Sequence, residues 1–235
     1  MMMRTNFPIV VVALVLAVSA VAQSSDPDGL IRSPQAERLS QTFCGAPLAG
    51  YEAGQTDRFK AVTDSLLKVT STLSHPMVYM VIQSNAVNAW AKIAPAKGYG
   101  IAGVVCVPIA MVRFLPDNDE LEAVMAHETG HTLDRDCYFY VLGQAKSLSS
   151  ERSCEQRADQ WGMQLLLDAR ISPYAMAGSF GRLEVYSGDI KTNIFSRIEG
   201  LFSDHPITPD RMEDIRQELI RYNQTRTISL SPVVR

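Results

Sequence analysis

Residues 127–131 read HETGH, two histidines four apart with a glutamate directly after the first. On a helix that spacing projects both imidazoles from one face, so that His127 and His131 can reach one metal ion. Glu128 then lies where its carboxylate can hold a metal-bound water and take a proton from it. Zinc suits such a set, being borderline-soft, tetrahedral and well served by imidazole and carboxylate. A catalytic zinc takes three protein ligands and leaves the fourth position to water, whereas a site closed by protein ligands would have no use for Glu128.

The third ligand has to come from elsewhere in the chain. Residues 154–162 read CEQRADQWG, which sets Glu155 and Asp159 one helical turn apart. The stretch between His131 and Glu155 is long enough to finish one helix, turn, and lay a second against the first. Glu155 would then complete a His-His-Glu set, and Asp159 could accept a hydrogen bond from His127 and so fix its tautomer. Read alone, Glu155 is an ordinary helix carboxylate paired with Arg152 or Arg157. Gly130, inside the motif, costs a helix about 1 kcal/mol against alanine, which points to close approach by another backbone or by a substrate.

The elements that must position these residues can be read from pattern. DNDELEAVMAHETGHTLDR carries helix signals: Asp117 as cap with Glu120 three residues on, acidic residues in the first turn, and Leu121, Val124 and Met125 facing inward. A helix is expected over 119–135. A second is expected over 150–169, with Cys154, Ala158, Trp161, Leu165 and Leu166 as its inner stripe. Upstream, Phe59, Val62, Leu66, Val69 and Leu73 recur at helical spacing over 56–73. Between His75 and Pro116 the pattern turns to β, with MVYMVIQ, NAWAKIA and YGIAGVVCV punctuated by Pro95 and Gly98, and predicts a small sheet of three or four strands. A short helix or turn ending at Pro116 follows. Further helices are expected near 173–186 and, behind Thr208 with Pro209 at its first position, over 209–223.

Composition sets the frame. The chain has 235 residues, 46% hydrophobic and 20% charged, with a formal net charge of -3. That is enough to bury a substantial core in one domain, and it lacks the basic footprint of a nucleic-acid binder. The N-terminus has Arg4, an apolar run from Phe7 to Val18, and AVA before Gln23. This is the order of a secretory signal peptide, with cleavage expected after Ala22 and no integral membrane segment expected in the mature chain. Residues 23–54, rich in Ser, Pro, Gly and Asp, read as an extended or loosely packed lead-in and a candidate propeptide. The catalytic domain is then expected over 55–225, with a polar tail over 226–235. In an oxidising compartment the four cysteines favour disulfides. Three pairings are open, and Cys137–Cys154 with Cys44–Cys106 is favoured because the first would close the segment joining the two site helices.

Together, ELEAVMAHETGH, EQRADQWGMQLLLDARISP and FSDHPITPDRMEDI, in this order, resemble the HtpX and CAAX-prenyl-protease family of gluzincin zinc metallopeptidases. NAWAKIAPAKGYGIA resembles the strand and glycine turn that precede the active helix there. The resemblance implies an α+β, mainly helical zincin-like metallopeptidase domain with a small mixed sheet packed against the HExxH helix. It implies one zinc held by His127, His131 and Glu155, Glu128 as general base, and Asp159 behind the ligands. His205, at the His-Pro position, is implied to lie near the metal as an oxyanion donor or additional ligand, with Arg211 nearby as a further catalytic residue and alternative oxyanion donor; the other reading of His205 is a turn residue before Pro206. His75, also before a proline, matches no motif. The function expected is a periplasmic or secreted zinc endopeptidase acting on unfolded or misassembled exported proteins, with association with envelope proteins a further expectation. The rival is a chaperone-like or binding protein whose zinc site is latent and closed by His205.

Overall fold

In a computed structural model of the chain, residues 34–71, 77–93, 101–134, 148–192 and 208–230 are described. Three strands form the sheet: β1 (Met77–Ile82), β2 (Trp90–Ile93) and β3 (Gly103–Pro108). They lie in the order β1-β3-β2, with β1 parallel and β2 antiparallel to β3. The register sets Tyr79 beside Val105 and Val81 beside Val107 on one face. Val78 beside Val104 and Met80 beside Cys106 lie on the other. Every residue of β1 and β3 is buried. Burial on both faces is why these strands read as continuous apolar runs rather than as alternating ones.

One face rests on helices. After α1 (Pro34–Leu39), α2 (Gln55–Thr70) buries Phe59, Val62 and Leu66, the stripe the spacing predicts. The short α3 (Ile109–Phe114) leads into α4 (Asn118–Leu133), which carries HETGH. The side chain of Asp117 caps α4 by accepting from the Asp119 amide at 2.7 Å. Glu120 does not close a capping box; it accepts from Nε and Nη2 of Arg182 instead. Arg58 of α2 donates to the carbonyls of Val112 and Leu115 and to Asn118, tying α2 to the turn between α3 and α4. Every residue of α4 from Leu121 to His131 is buried, so this helix is central, with α5, α6 and α2 around it and the sheet beneath.

Three longer helices complete the layer: α5 (Leu148–Asp168), α6 (Tyr174–Thr192) and α7 (Pro209–Thr225). Thr208 caps α7 by accepting from the Arg211 amide, with Pro209 at the first position. The fold is the mainly helical α+β class with a small mixed sheet packed against the HETGH helix. The stripe expected on α5 shifts at one place: Trp161 is half-buried, and Gly162 and Met163 take the inner position. α6 runs past the expected 186 to Thr192.

The lead-in is the main departure from expectation. Its described part is neither extended nor loose: α1 and a wide π-type turn (Ser40–Cys44) bury Leu39, Cys44 and Leu48 against Val78, Met80, Ile82 and Val104 on the second face of the sheet. Pro47 and Ala49 pair by backbone hydrogen bonds with Gln83 and Val81, covering the free edge of β1. Cys44 and Cys106 form a disulfide that fastens the segment to β3. The lead-in hid this because scattered apolar residues and one covalent bond replace a periodic stripe. The expected bond of Cys154 with Cys137 falls on a residue outside the described ones, as do His75 and the signal segment 1–22. No helix among the described residues is long and apolar enough to cross a membrane.

Candidate metal centre

The site exists because α4 and α5 can approach closely as an antiparallel pair. A Cβ at Gly130 would stand 2.5 Å from the carbonyl oxygen of Ala158, and one at Gly162 would stand 3.0 Å from the backbone nitrogen of His127. Glycine at both places lets backbone meet backbone. The close approach inferred for Gly130 is therefore made by a helix of the chain itself. Asp134, at the end of α4, meets Arg157 of α5 at 2.5 Å and anchors the other end of the pair.

This docking brings Glu155 opposite the two histidines. His127 Nε2 and His131 Nε2 lie 3.1 Å apart, and each lies 3.4 Å from a carboxylate oxygen of Glu155. Zinc binds nitrogen and oxygen at about 2.0–2.2 Å, so neighbouring ligands of a tetrahedral ion stand about 3.3 Å apart. The two histidine nitrogens stand at about that separation, each faces a different oxygen of the Glu155 carboxylate at a similar distance, and His127, His131 and Glu155 could hold a metal ion. The charges fit as well. Buried Glu128, Glu155 and Asp159 face buried Arg211. Among these residues three carboxylates meet one guanidinium, a shortfall that a divalent cation would fill.

Asp159 lies behind His127, its Oδ1 2.7 Å from His127 Nδ1. The arginines that could have claimed Glu155 are engaged elsewhere, Arg152 with Asp210 and Arg157 with Asp134. Arg211, arriving on the first turn of α7, donates to both oxygens of Asp159 at 2.7 and 2.8 Å and lies 2.8 Å from Glu155. Its guanidinium stacks 4.4 Å from the centroid of Phe180, whose ring meets His127 edge-on at 5.4 Å. Burial pulls the Arg211 proton affinity down, but Asp159, Glu155 and Glu128 outweigh it and hold the guanidinium firmly charged. Burial pushes Asp159 up, yet Arg211 and His127 bring its carboxyl below the usual range. At His127, burial and Arg211 press downward while Asp159 and Glu155 lift, and without a metal its pKa is pushed up to about 9.

Glu128 is 3% exposed, on α4 beside the first histidine. His205 lies outside the described residues. Two contributors escaped the sequence reading. Phe180 is one aromatic within an apolar stripe and carries no local sign of a neighbour such as Arg211. Tyr79 of β1 shares a hydrogen bond of 3.0 Å with Thr129, inside HETGH, and so seats the motif on the sheet; a tyrosine in an apolar strand reads as core.

A model of peptidase family M48 matches the sequence over residues 54–149 and 136–219, which together span well over half of the chain. No curated protein matches the sequence.

Proposed function

This chain belongs to peptidase family M48, and from that premise we propose that it is an exported zinc endopeptidase that cuts unfolded or misassembled proteins at the α4–α5 contact. That it is a metallopeptidase, a hydrolase of peptide bonds, follows from the family. The observation that carries the reading is the convergence of His127, His131 and Glu155 at 3.1 and 3.4 Å, with Glu128 adjoining.

When bound, zinc supplies Lewis acidity at the scissile carbonyl and the attacking water. Glu128 takes the proton of that water and returns it to the leaving amine. Asp159 accepts the Nδ1 hydrogen of His127, which turns the Nε2 lone pair toward the ligand position. Arg211, 6% exposed and engaged by Asp159, Glu155 and Phe180, keeps both acids in place rather than facing substrate. The resemblance implies His205 near the metal, as an oxyanion donor or as an additional ligand. The outer edge of β2 has no strand partner among the described residues and runs beside α4. An extended substrate adding a strand there would be aligned with the site. Export is supported by the Cys44–Cys106 disulfide, since such bonds persist in oxidising compartments.

The test is digestion of casein, which is unfolded, against a folded globular protein by the mature chain, with and without a zinc chelator. Casein should be cut first, chelation should stop the cutting and added zinc should restore it. Cutting that survives chelation would overturn the metal reading, and equal cutting of the folded protein would overturn the substrate class.

A further inference from the structure

Glu122 sits on α4, N-terminal to His127 and more than one turn from it, and the mechanism makes no use of it. It is 3% exposed. Among the described residues, the groups that face it are the Ser65 hydroxyl of α2, Tyr79 of β1 and, on its own helix, Asp119. None of these is a cation, and Oε1 has no hydrogen-bond partner. The residues around it form a polar seam between α2, β1 and α4. Thr70 donates to the Leu66 carbonyl, Tyr79 meets Thr129 at 3.0 Å, and Thr129 donates to the Met125 carbonyl. The seam runs from Glu122 to the middle of HETGH and is the polar part of the seat on which that helix rests.

A carboxylate buried without a cation and without a full set of donors carries a desolvation cost that the neutral acid avoids. We propose that Glu122 is carried as an uncharged acid in this seam, and that loss of its proton loosens the seat of the HETGH helix, which makes the domain lose stability as pH rises from acid through neutrality. Burial is the main cause, with Asp119 adding to it and Ser65 opposing, and together they push the Glu122 carboxyl from 4.5 up to about 7. The direction of the effect follows by linkage. A group whose folded pKa lies above its unfolded value binds its proton more tightly in the folded state. Its contribution is complete below the unfolded value and is lost as pH rises through the folded one. The window is therefore roughly pH 5 to 8, with stability falling toward the alkaline side.

The experiment is thermal unfolding of the zinc-loaded mature chain from acid to alkaline pH, for the wild type and Glu122→Gln. Glutamine keeps the shape and cannot ionise. The pH dependence of zinc binding is common to both proteins and cancels in the difference. The wild-type midpoint should fall across neutral pH while the variant follows a flatter line, so that the curves separate by several degrees at the alkaline end. Parallel curves would overturn the proposal. If the variant fails to fold, carbon-13 titration of the glutamate carboxyls in the wild type decides it. Titration of the carboxyl assigned to Glu122 near neutrality supports the proposal, and its titration in the ordinary acid range overturns it.

Discussion

Tyr79, Val81, Val105 and Val107 look from the sheet onto the helical layer, whereas Val78, Met80, Val104 and Cys106 look onto Leu39, Cys44 and Leu48 of a short N-terminal segment. The helical side holds itself by long apolar stripes and supplies every described residue of the candidate site. The other side is covered by a six-residue helix and a turn. A helix that short has little stability of its own, so the cover depends on the Cys44–Cys106 bond and on pairing with β1. The difference teaches that one face carries chemistry and the other carries closure, and that the two can be disturbed separately.

The largest expected effect falls on the closure. The disulfide spans 62 residues, and a loop of that length stabilises a fold by about 4 kcal/mol. Cys44→Ala with Cys106→Ala should lower the unfolding free energy from denaturant titration by that amount, while zinc still binds the folded fraction at low temperature. Zinc affinity falling in step would show that the faces are not separable. On the other side, Arg211→Ala leaves Asp159 and Glu155 buried without their cation. It should cost about 3 kcal/mol and weaken zinc binding, as read by unfolding and metal titration.

A smaller wedge between the site helices is Gly130→Ala, whose Cβ would press on the backbone of Ala158. Overpacking of this kind costs about 2 kcal/mol, and here it should also reduce zinc affinity because it pushes Glu155 away from the histidines. The smallest effect is expected at the helix cap: Asp117→Ala removes the bond to the Asp119 amide and should cost about 1 kcal/mol, with cleavage by the folded protein unchanged.

The helical side was legible because its signals are local. His127, Glu128 and His131 share five residues, Asp117 caps the helix beneath them, and Phe59, Val62 and Leu66 mark one face by spacing alone. The closure was not legible, since Leu39, Cys44 and Leu48 show no period and their partners lie far along the chain. Arg211 was found only through the order of three motifs. Phe180, which stacks on it, had no motif to reveal it. Glu122 carries no local signal in the sequence, and only its burial beside α2 and β1 gives it a role.

Metal content and casein cleavage, measured together on the wild type and Glu128→Gln, test the central claim most directly. The substitution removes the proposed base and leaves His127, His131 and Glu155 intact. About one zinc per chain is predicted in both proteins, with cleavage in the wild type alone. Cleavage that persists in Glu128→Gln would contradict the account, as would zinc that is absent from both.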